Sequence, residues 1–440
     1  MAAFVGSSAF PQWRARVEGV GGCARPVKLN ARTTLRTTLP HSRLELSTRV
    51  EDRSVWVRCG TRRAASCPAC SARYEADAYH LVRAGLCGDE SKGVPVAVAA
   101  RPTAFVTLTA PSFGPVHNRP GTRPCTCRAW HREDDPRLGT PIDPAGYDYE
   151  AAVLWNNRAG ALWADFTRRV RRALAHAGGL TIRDSTRVLA LSYAKVAEYQ
   201  RRGQVHFHAA VRLDGLGGHA SNPPAWASAD VLADAVRAAA AGTEVLAERA
   251  DRSPLVLTWG TQLDIQAVDT GSASTATSGP AQVEAGKVAA YIAKYATKST
   301  GVTDGVDHRV SAAEVERLNA SAHAKTMMRT ALALAEVSHL AGLKLGHWAH
   351  MLGYRGHFLT KSRAFSTTFA ALRGARAAWT IAQHQLDHGG PDLVLDTEWT
   401  VIGFGYRTPE EHTFAAAIAE RSLSRLKDKR PTVAGTETSK

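Results

Sequence analysis

His206-Phe207-His208 places two imidazoles one residue apart. On a strand, residues two apart point to the same face, so both rings can grip one divalent ion. Further along stands Tyr291-Ile292-Ala293-Lys294-Tyr295, with Lys298 one turn on. On a helix Tyr291, Lys294, Tyr295 and Lys298 share a stripe at i, i+3, i+4 and i+7. Ala289, Ile292, Ala293 and Ala296 form a separate apolar arc that would face a core. A phenol is a poor nucleophile at neutral pH, because its ordinary pKa lies near about 10. Neighbouring cations and a bound metal favour the phenolate, and the metal also polarises a phosphate. Such a pair can exchange a backbone phosphodiester for a phosphotyrosine, storing the ester so that the break reseals without ATP. Two phenols allow a second cleavage while the first remains linked.

The residues before the histidines make the metal reading more specific. Glu198 to His206 can fold as a hairpin with Arg201-Arg202-Gly203 as a three-residue loop, Gly203 taking the positive φ that such loops require. That register pairs Gln200 with Gln204 and sets Glu198 opposite His206, about 4.5–5.5 Å apart at Cβ. Glu198 then supplies a third ligand. The other even-numbered positions, Ala190, Ser192, Ala194 and Ala210, are small, whereas Leu189, Leu191, Tyr193, Val205, Phe207 and Val211 crowd the odd face. The expectation is an apolar packed side and an open floor bearing the ligands. Two imidazoles and a carboxylate suit manganese, magnesium or zinc.

Cys67-Pro68-Ala69-Cys70 is half of a structural zinc site. Cys23 and Cys59 lie upstream; Cys125 and Cys127, with His131 behind them, form a second candidate cluster. One zinc is expected on Cys23, Cys59, Cys67 and Cys70, with Cys87 outside it. His347 and His350 share a helical face, but Trp348 beside them favours packing or DNA contact. Arg355, Lys361 and Arg363 are candidate phosphate contacts.

Those groups need a scaffold, and the rest of the chain outlines one. Its 440 residues can bury a large core divided among two or three domains. Lys+Arg number 55 against 40 Asp+Glu, a net charge of +15 that favours a polyanionic partner. Met1-Ala2-Ala3-Phe4-Val5-Gly6 does not read as a signal peptide, and no run is apolar enough to span a membrane, so a cytoplasmic protein with reduced cysteines is expected. No GxxxxGK[ST] loop occurs, which argues against an ATP-driven helicase module. Residues 1–45 have weak periodicity, and 58–70 read as a cysteine-bearing knuckle. Thr103 to Thr109 alternates as a strand, with Ala104, Val106 and Leu108 on one face. Residues 110–149 form an irregular insertion. Leu162, Phe166, Val170 and Leu174 mark a helix over 150–176. Strands are expected at 188–200, 204–212, 255–259 and 262–268, helices at 229–249 and from 284. A polar linker spans 269–282, the region after 310 is mainly helical, and the tail after 427 is disordered.

With these residues in hand, the chain resembles the HUH endonucleases, and more closely the RepSA-like rolling-circle replication initiators of actinobacterial plasmids and integrative elements. Phe105-Val106-Thr107-Leu108-Thr109, Val205-His206-Phe207-His208-Ala209-Ala210-Val211 and Tyr291-Ile292-Ala293-Lys294-Tyr295-Ala296-Thr297-Lys298 resemble that class's three motifs. Arg62-Arg63 before the Cys67 pair, Thr109 to Gly114, and His350 to Phe358 add to the likeness, which covers roughly residues 20–405.

The resemblance implies a central antiparallel sheet flanked by helices; together with the reading of the residues, the expected fold is α+β with a cysteine-rich zinc-binding insertion and a mainly helical C-terminal region. It implies nicking of single-stranded or hairpin origin DNA, a 5′-phosphotyrosine link, and a free 3′-end extended by host helicase and DNA polymerase. His206 and His208 become metal ligands and Tyr295 the first nucleophile; Tyr291 stands where relatives carry a second tyrosine or a carboxylate for termination. The expected domains are a cysteine-bearing region over 1–100, a nicking domain over 101–300, a helical DNA-binding region over 301–426, and a tail over 427–440. An HUH transposase or relaxase shares the chemistry but uses different DNA ends. A non-catalytic zinc-dependent regulator would bind DNA without breaking it.

Overall fold

The computed structural model describes residues 6–37, 46–269, 282–297, 306, 308–375 and 394–428. Lys298, the 270–281 linker and the tail from 429 lie outside the described residues. The chain divides into two compact units, one joining 1–76 with 373–440 and the other spanning 77–372. In chain order the principal elements are α1 (Phe10–Gly19), β1 (Val27–Thr37), β2 (Leu46–Val57), α2 (Pro68–Cys87), β3 (Thr103–Leu108) and α3 (Tyr149–Ala177). Then follow β4 (Ala190–Tyr199), β5 (Val205–Asp214), α4 (Ala229–Gly242), β6 (Glu244–Glu248), β7 (Pro254–Thr258), β8 (Leu263–Asp269) and β9 (Gln282–Glu284). The series ends with α5 (Ala285–Thr297), α6 (Ala312–Arg317), α7 (Ala322–Ala335), β10 (Leu359–Lys361), β11 (Val394–Phe404) and α8 (Pro409–Asp428). The fold is thus mixed α+β. Among the described residues no helix is long and apolar enough to cross a membrane.

The larger unit is built on a six-stranded sheet in the order β10-β4-β5-β3-β8-β9. Its pairs are antiparallel except β8 with β9. Helix α3 starts where the Asp148 carboxylate accepts the Ala151 N–H. It buries Leu162, Phe166, Val170 and Leu174 as their spacing predicts. Trp163 of α3 meets Tyr193 and Phe207, so α3 covers the odd-numbered face of the β4–β5 ribbon.

The even-numbered face is not the open floor that its small residues predict. Ser192, Ala194 and Ala210 are buried, and Tyr291 of α5 lies against His208 on this face. Small side chains admit close approach of the neighbouring layer, so a strip of alanines marks a seat as readily as an opening.

The smaller unit holds a three-stranded antiparallel sheet in the order β11-β1-β2. Trp13 and Phe10 of α1 pack with Phe414 of α8 and, through Trp13, with Tyr406. Strand β11 and the short β10 interrupt the expected helical C-terminal region. Strand β6 replaces the end of the helix predicted over 229–249: α4 stops at Gly242, and Thr243 turns out of helical geometry with its hydroxyl on the Ala239 carbonyl.

Candidate active site

The β4–β5 turn has the predicted register. Gln200 N–H donates to Gln204 O at 2.9 Å, Gly203 has φ +79°, and Glu198 stands opposite His206. Asn156 of α3 staples the turn from below. Its amide donates to the carbonyls of Gly203 and Leu352, both at 2.9 Å, and its oxygen accepts the Val205 N–H at 3.1 Å. Buried, fully used amides of this kind fix one backbone path.

That path brings three ligand atoms together. His206 Nε2 lies 3.1 Å from Glu198 Oε2 and 3.1 Å from His208 Nε2, and His208 Nε2 lies 3.4 Å from Glu198 Oε2. Burial drives the His208 pKa down to about 4, against the pull of Glu198, so its imidazole is neutral at physiological pH. Thr107 of β3, opposite His208 in register, sits 3.0 Å from His208 Nδ1. With Nδ1–H donated to Thr107, the Nε2 lone pair faces the other two ligands. Phe105 stacks on the outer face of the His208 ring at 5.9 Å. Two imidazoles and a carboxylate converging this closely fit a divalent ion.

Tyr291 reaches this triad directly. Its hydroxyl donates to His208 Nε2 at 3.0 Å and lies 3.5 Å from the Glu198 carboxylate. Burial, then the nearby Glu198 charge and Tyr295, push its pKa up, which keeps it a phenol in this arrangement. Tyr295 is one ring further out, 4.4 Å from Tyr291 and 6.1 Å from His208, centre to centre. The resemblance ranks Tyr295 first, whereas the distances set Tyr291 nearer the ligands. Lys294 is exposed, with Nζ 5.8 Å from the centre of the Tyr295 ring. The arc of Ala289, Ile292, Ala293 and Ala296 is buried.

Cys23, Cys59, Cys67 and Cys70 also come together, with all four sulfurs within 4.8 Å of one another. Backbone N–H groups of Ala24 and Cys59 donate to the sulfurs of Cys67 and Cys23 at 3.2 and 3.3 Å. Hydrogen bonds from the Cys23 and Cys70 thiols hold Cys67 well below the ordinary thiol range. Four sulfurs so disposed could hold a metal ion. Cys87 belongs to neither cysteine cluster among the described residues.

The three residues read as phosphate contacts differ in setting. Arg355 and Arg363 are exposed. Lys361 is half-buried on β10, its ammonium donating to the carbonyls of Ser366 and Ser362 at 2.9 and 3.2 Å, and burial lowers its pKa to about 8. His350 is buried and stacked on Trp348. Sequence reasoning missed Thr107 as the outer partner of His208. Its signal was present in the strand alternation, but the pairing of β3 with β5 spans a hundred residues of intervening chain.

The sequence matches the family model described as RepSA, replication initiator protein, pSAM2, over residues 9–420. It is 43% identical over 426 residues to a replication initiator protein of Streptomyces ambofaciens, an alignment taking in 93% of this chain and 90% of that protein. No solved structure matches the chain.

Proposed function

Because the chain belongs to the RepSA family of replication initiators, we propose that it opens its origin by metal-dependent tyrosine transesterification. DNA is its partner. The observation that carries this reading is the 3.0 Å contact between the Tyr291 hydroxyl and His208 Nε2, beside Glu198 and His206. Glu198, His206 and His208 would hold manganese or magnesium. Such an ion, when bound, polarises the scissile phosphate and offsets charge developing on it.

The chain's own groups do the rest. Thr107 and Phe105 fix the His208 ring, and the β4–β5 register fixes Glu198 against His206. Helix α5 delivers the two phenols from one stripe. The phenol oxygen attacks phosphorus and gives up its proton; the P–O3′ bond breaks, and the departing oxygen takes a proton to become a 3′-hydroxyl. The 5′-phosphate stays on tyrosine. The free 3′-end primes synthesis by host polymerase behind a host helicase, and the strand is rejoined at termination, as rolling-circle replication requires. We assign the first attack to Tyr291 on its distance and the second to Tyr295. Lys294, with Lys298 beyond the described residues, would draw the phosphate backbone, as would the exposed Arg355 and Arg363. The cysteine cluster would hold structural zinc.

The test is adduct formation between the protein and a single-stranded origin oligonucleotide in manganese or magnesium. Tyr291→Phe should abolish the initial adduct, and the double variant with Tyr295→Phe should abolish every adduct. Full adduct formation by the double variant would overturn the reading. A transposase or relaxase would be recognised by its mapped ends, and a non-catalytic regulator by binding without strand breakage.

A further inference from the structure

The 110–149 segment contains a second convergent ligand set. His117, Cys125, Cys127 and His131 place one ligand atom each within 4.8 Å of the others. His117 Nδ1 and Cys127 Sγ each lie 3.2 Å from His131 Nε2. A tetrahedral zinc ion with bonds of ~2.0–2.3 Å spaces its ligand atoms about 3.3–3.8 Å apart. Cys125 and His131 are buried. The Asn118 N–H donates to Cys125 Sγ at 3.5 Å, and Arg128 takes a left-handed φ of +71° in the turn joining the cysteine pair to His131. Asp135 Oδ2 lies 2.8 Å from His131 Nδ1. A carboxylate on the outer nitrogen is the partner that ligating histidines use: it holds the proton on Nδ1 and turns the Nε2 lone pair inward.

The surroundings explain what such a site would do. Between β3 and α3 the chain forms neither helix nor strand beyond the isolated bridge of Val116 with Pro141. A loop this long stays in one shape only if something other than a ladder holds it. Yet it lies tightly on the β4–β5 turn. Arg201 donates to the Glu133 carbonyl at 2.9 Å, and Arg202 donates to the carbonyls of Pro111 and Ala110, both at 2.7 Å. Gly139, at φ +85°, passes so close that a Cβ there would lie 2.4 Å from the Arg201 carbonyl carbon.

We propose that His117, Cys125, Cys127 and His131 bind a structural zinc ion, distinct from the Cys23 cluster, that fixes this loop over the turn carrying Glu198 and His206. Two thiolates and two imidazoles select zinc over the harder ions expected at the Glu198 triad. The zinc site stands independently of the tyrosine chemistry; only its bearing on the triad rests on that reading.

The experiment counts zinc per full-length chain by elemental analysis and native mass spectrometry. Cys125→Ser/Cys127→Ser should lose one equivalent relative to the parent, and Cys67→Ser/Cys70→Ser should keep that equivalent. Unchanged zinc in a folded Cys125→Ser/Cys127→Ser protein overturns the site. Should that variant fail to fold, cobalt substitution of the parent decides. Thiolate-to-cobalt charge transfer beyond that of the Cys23 cluster alone supports the proposal, and intensity matching that cluster alone overturns it. Chelation of the ion should also open the 110–149 loop to protease and weaken manganese binding at the triad. Loss of zinc with loop protection unchanged would leave the ion no role in holding the turn and would overturn that half of the claim. Neither readout requires the protein to nick DNA.

Discussion

The two ends of the β4–β5 ribbon place a carboxylate on the same sheet face and treat it in opposite ways. At one end Asp214 is fully buried between two guanidiniums. Arg212 Nε and Nη2 donate to it at 2.8 and 2.9 Å, and Arg101 Nη1 at 2.6 Å. Further donors go to the chain itself, from Arg212 to the carbonyls of Gly85 and Phe365 and from Arg101 to those of Gly218 and His219 and to Asn222 Oδ1, while Arg101 Nε is buried without a partner among the described residues. At the other end Glu198 meets two imidazoles and a phenol. The first arrangement surrounds one carboxylate with cations of the chain's own, in a buried ion-pair cluster that ties β5 to the segments around it. The second collects lone pairs at one point, which suits a cation supplied from solution. A carboxylate's role can therefore be read from the charge of its neighbours rather than from its burial.

Substitutions at the two ends should separate those roles. Asp214→Ala should cost about 3–5 kcal/mol of stability, since it strands two buried guanidiniums; equilibrium unfolding in urea measures it, and a loss below about 1 kcal/mol would erase the contrast. Glu198→Gln should leave unfolding nearly unchanged yet weaken manganese binding by more than about 10-fold, because a ligand is lost from a site that tolerates little change. Calorimetric titration reads that directly, and unchanged affinity removes Glu198 from the ligand set. Thr107→Val should have a smaller effect, roughly 10-fold in metal affinity, by releasing the His208 tautomer. It should leave the adduct site where it was.

The last prediction concerns Lys195, on the opposite face of the same ribbon. Its ammonium lies 3.7 Å above the Phe207 ring, and burial lowers its pKa to about 7. The unfolded chain holds that proton up to about pH 10.4. Between those values the unfolded state binds more protons, so this group's contribution to stability rises with pH through that window. Lys195→Met should accordingly raise the melting temperature by a few degrees at pH 7 and below, with the gain fading toward about pH 10. A gain independent of pH would assign the effect to packing instead.

The parts legible in the sequence were those fixed locally. The hairpin register followed from a three-residue turn ending in glycine, and that alone put Glu198 opposite His206. Helices α3 and α5 followed from apolar spacing. What stayed hidden depended on distant chain. Strand β11 pairs with β1 more than 350 residues away, and its Trp399-Thr400-Val401-Ile402 run has no local turn to announce it. Helix α1 and strand β1 fall where residues 1–45 show weak periodicity, and β2 and most of α2 fall in stretches to which the sequence pattern assigns no element. The end of α4 was hidden by an alanine run that favours helix on either side of the break. His117 gives no ligand signal in the sequence, because seven residues separate it from Cys125, outside the usual zinc spacings.

The most direct test is to trap the covalent species on single-stranded origin DNA from the protein's own replicon, with manganese present, and to sequence the modified peptide by mass spectrometry. A nucleotide 5′-phosphate is expected on Tyr291 of the Val288–Lys294 segment, with Tyr295 carrying it in the second cleavage. DNA found on Tyr295 alone would reverse the order of attack. DNA on neither phenol, or origin cleavage that leaves no adduct, would contradict the proposed chemistry altogether.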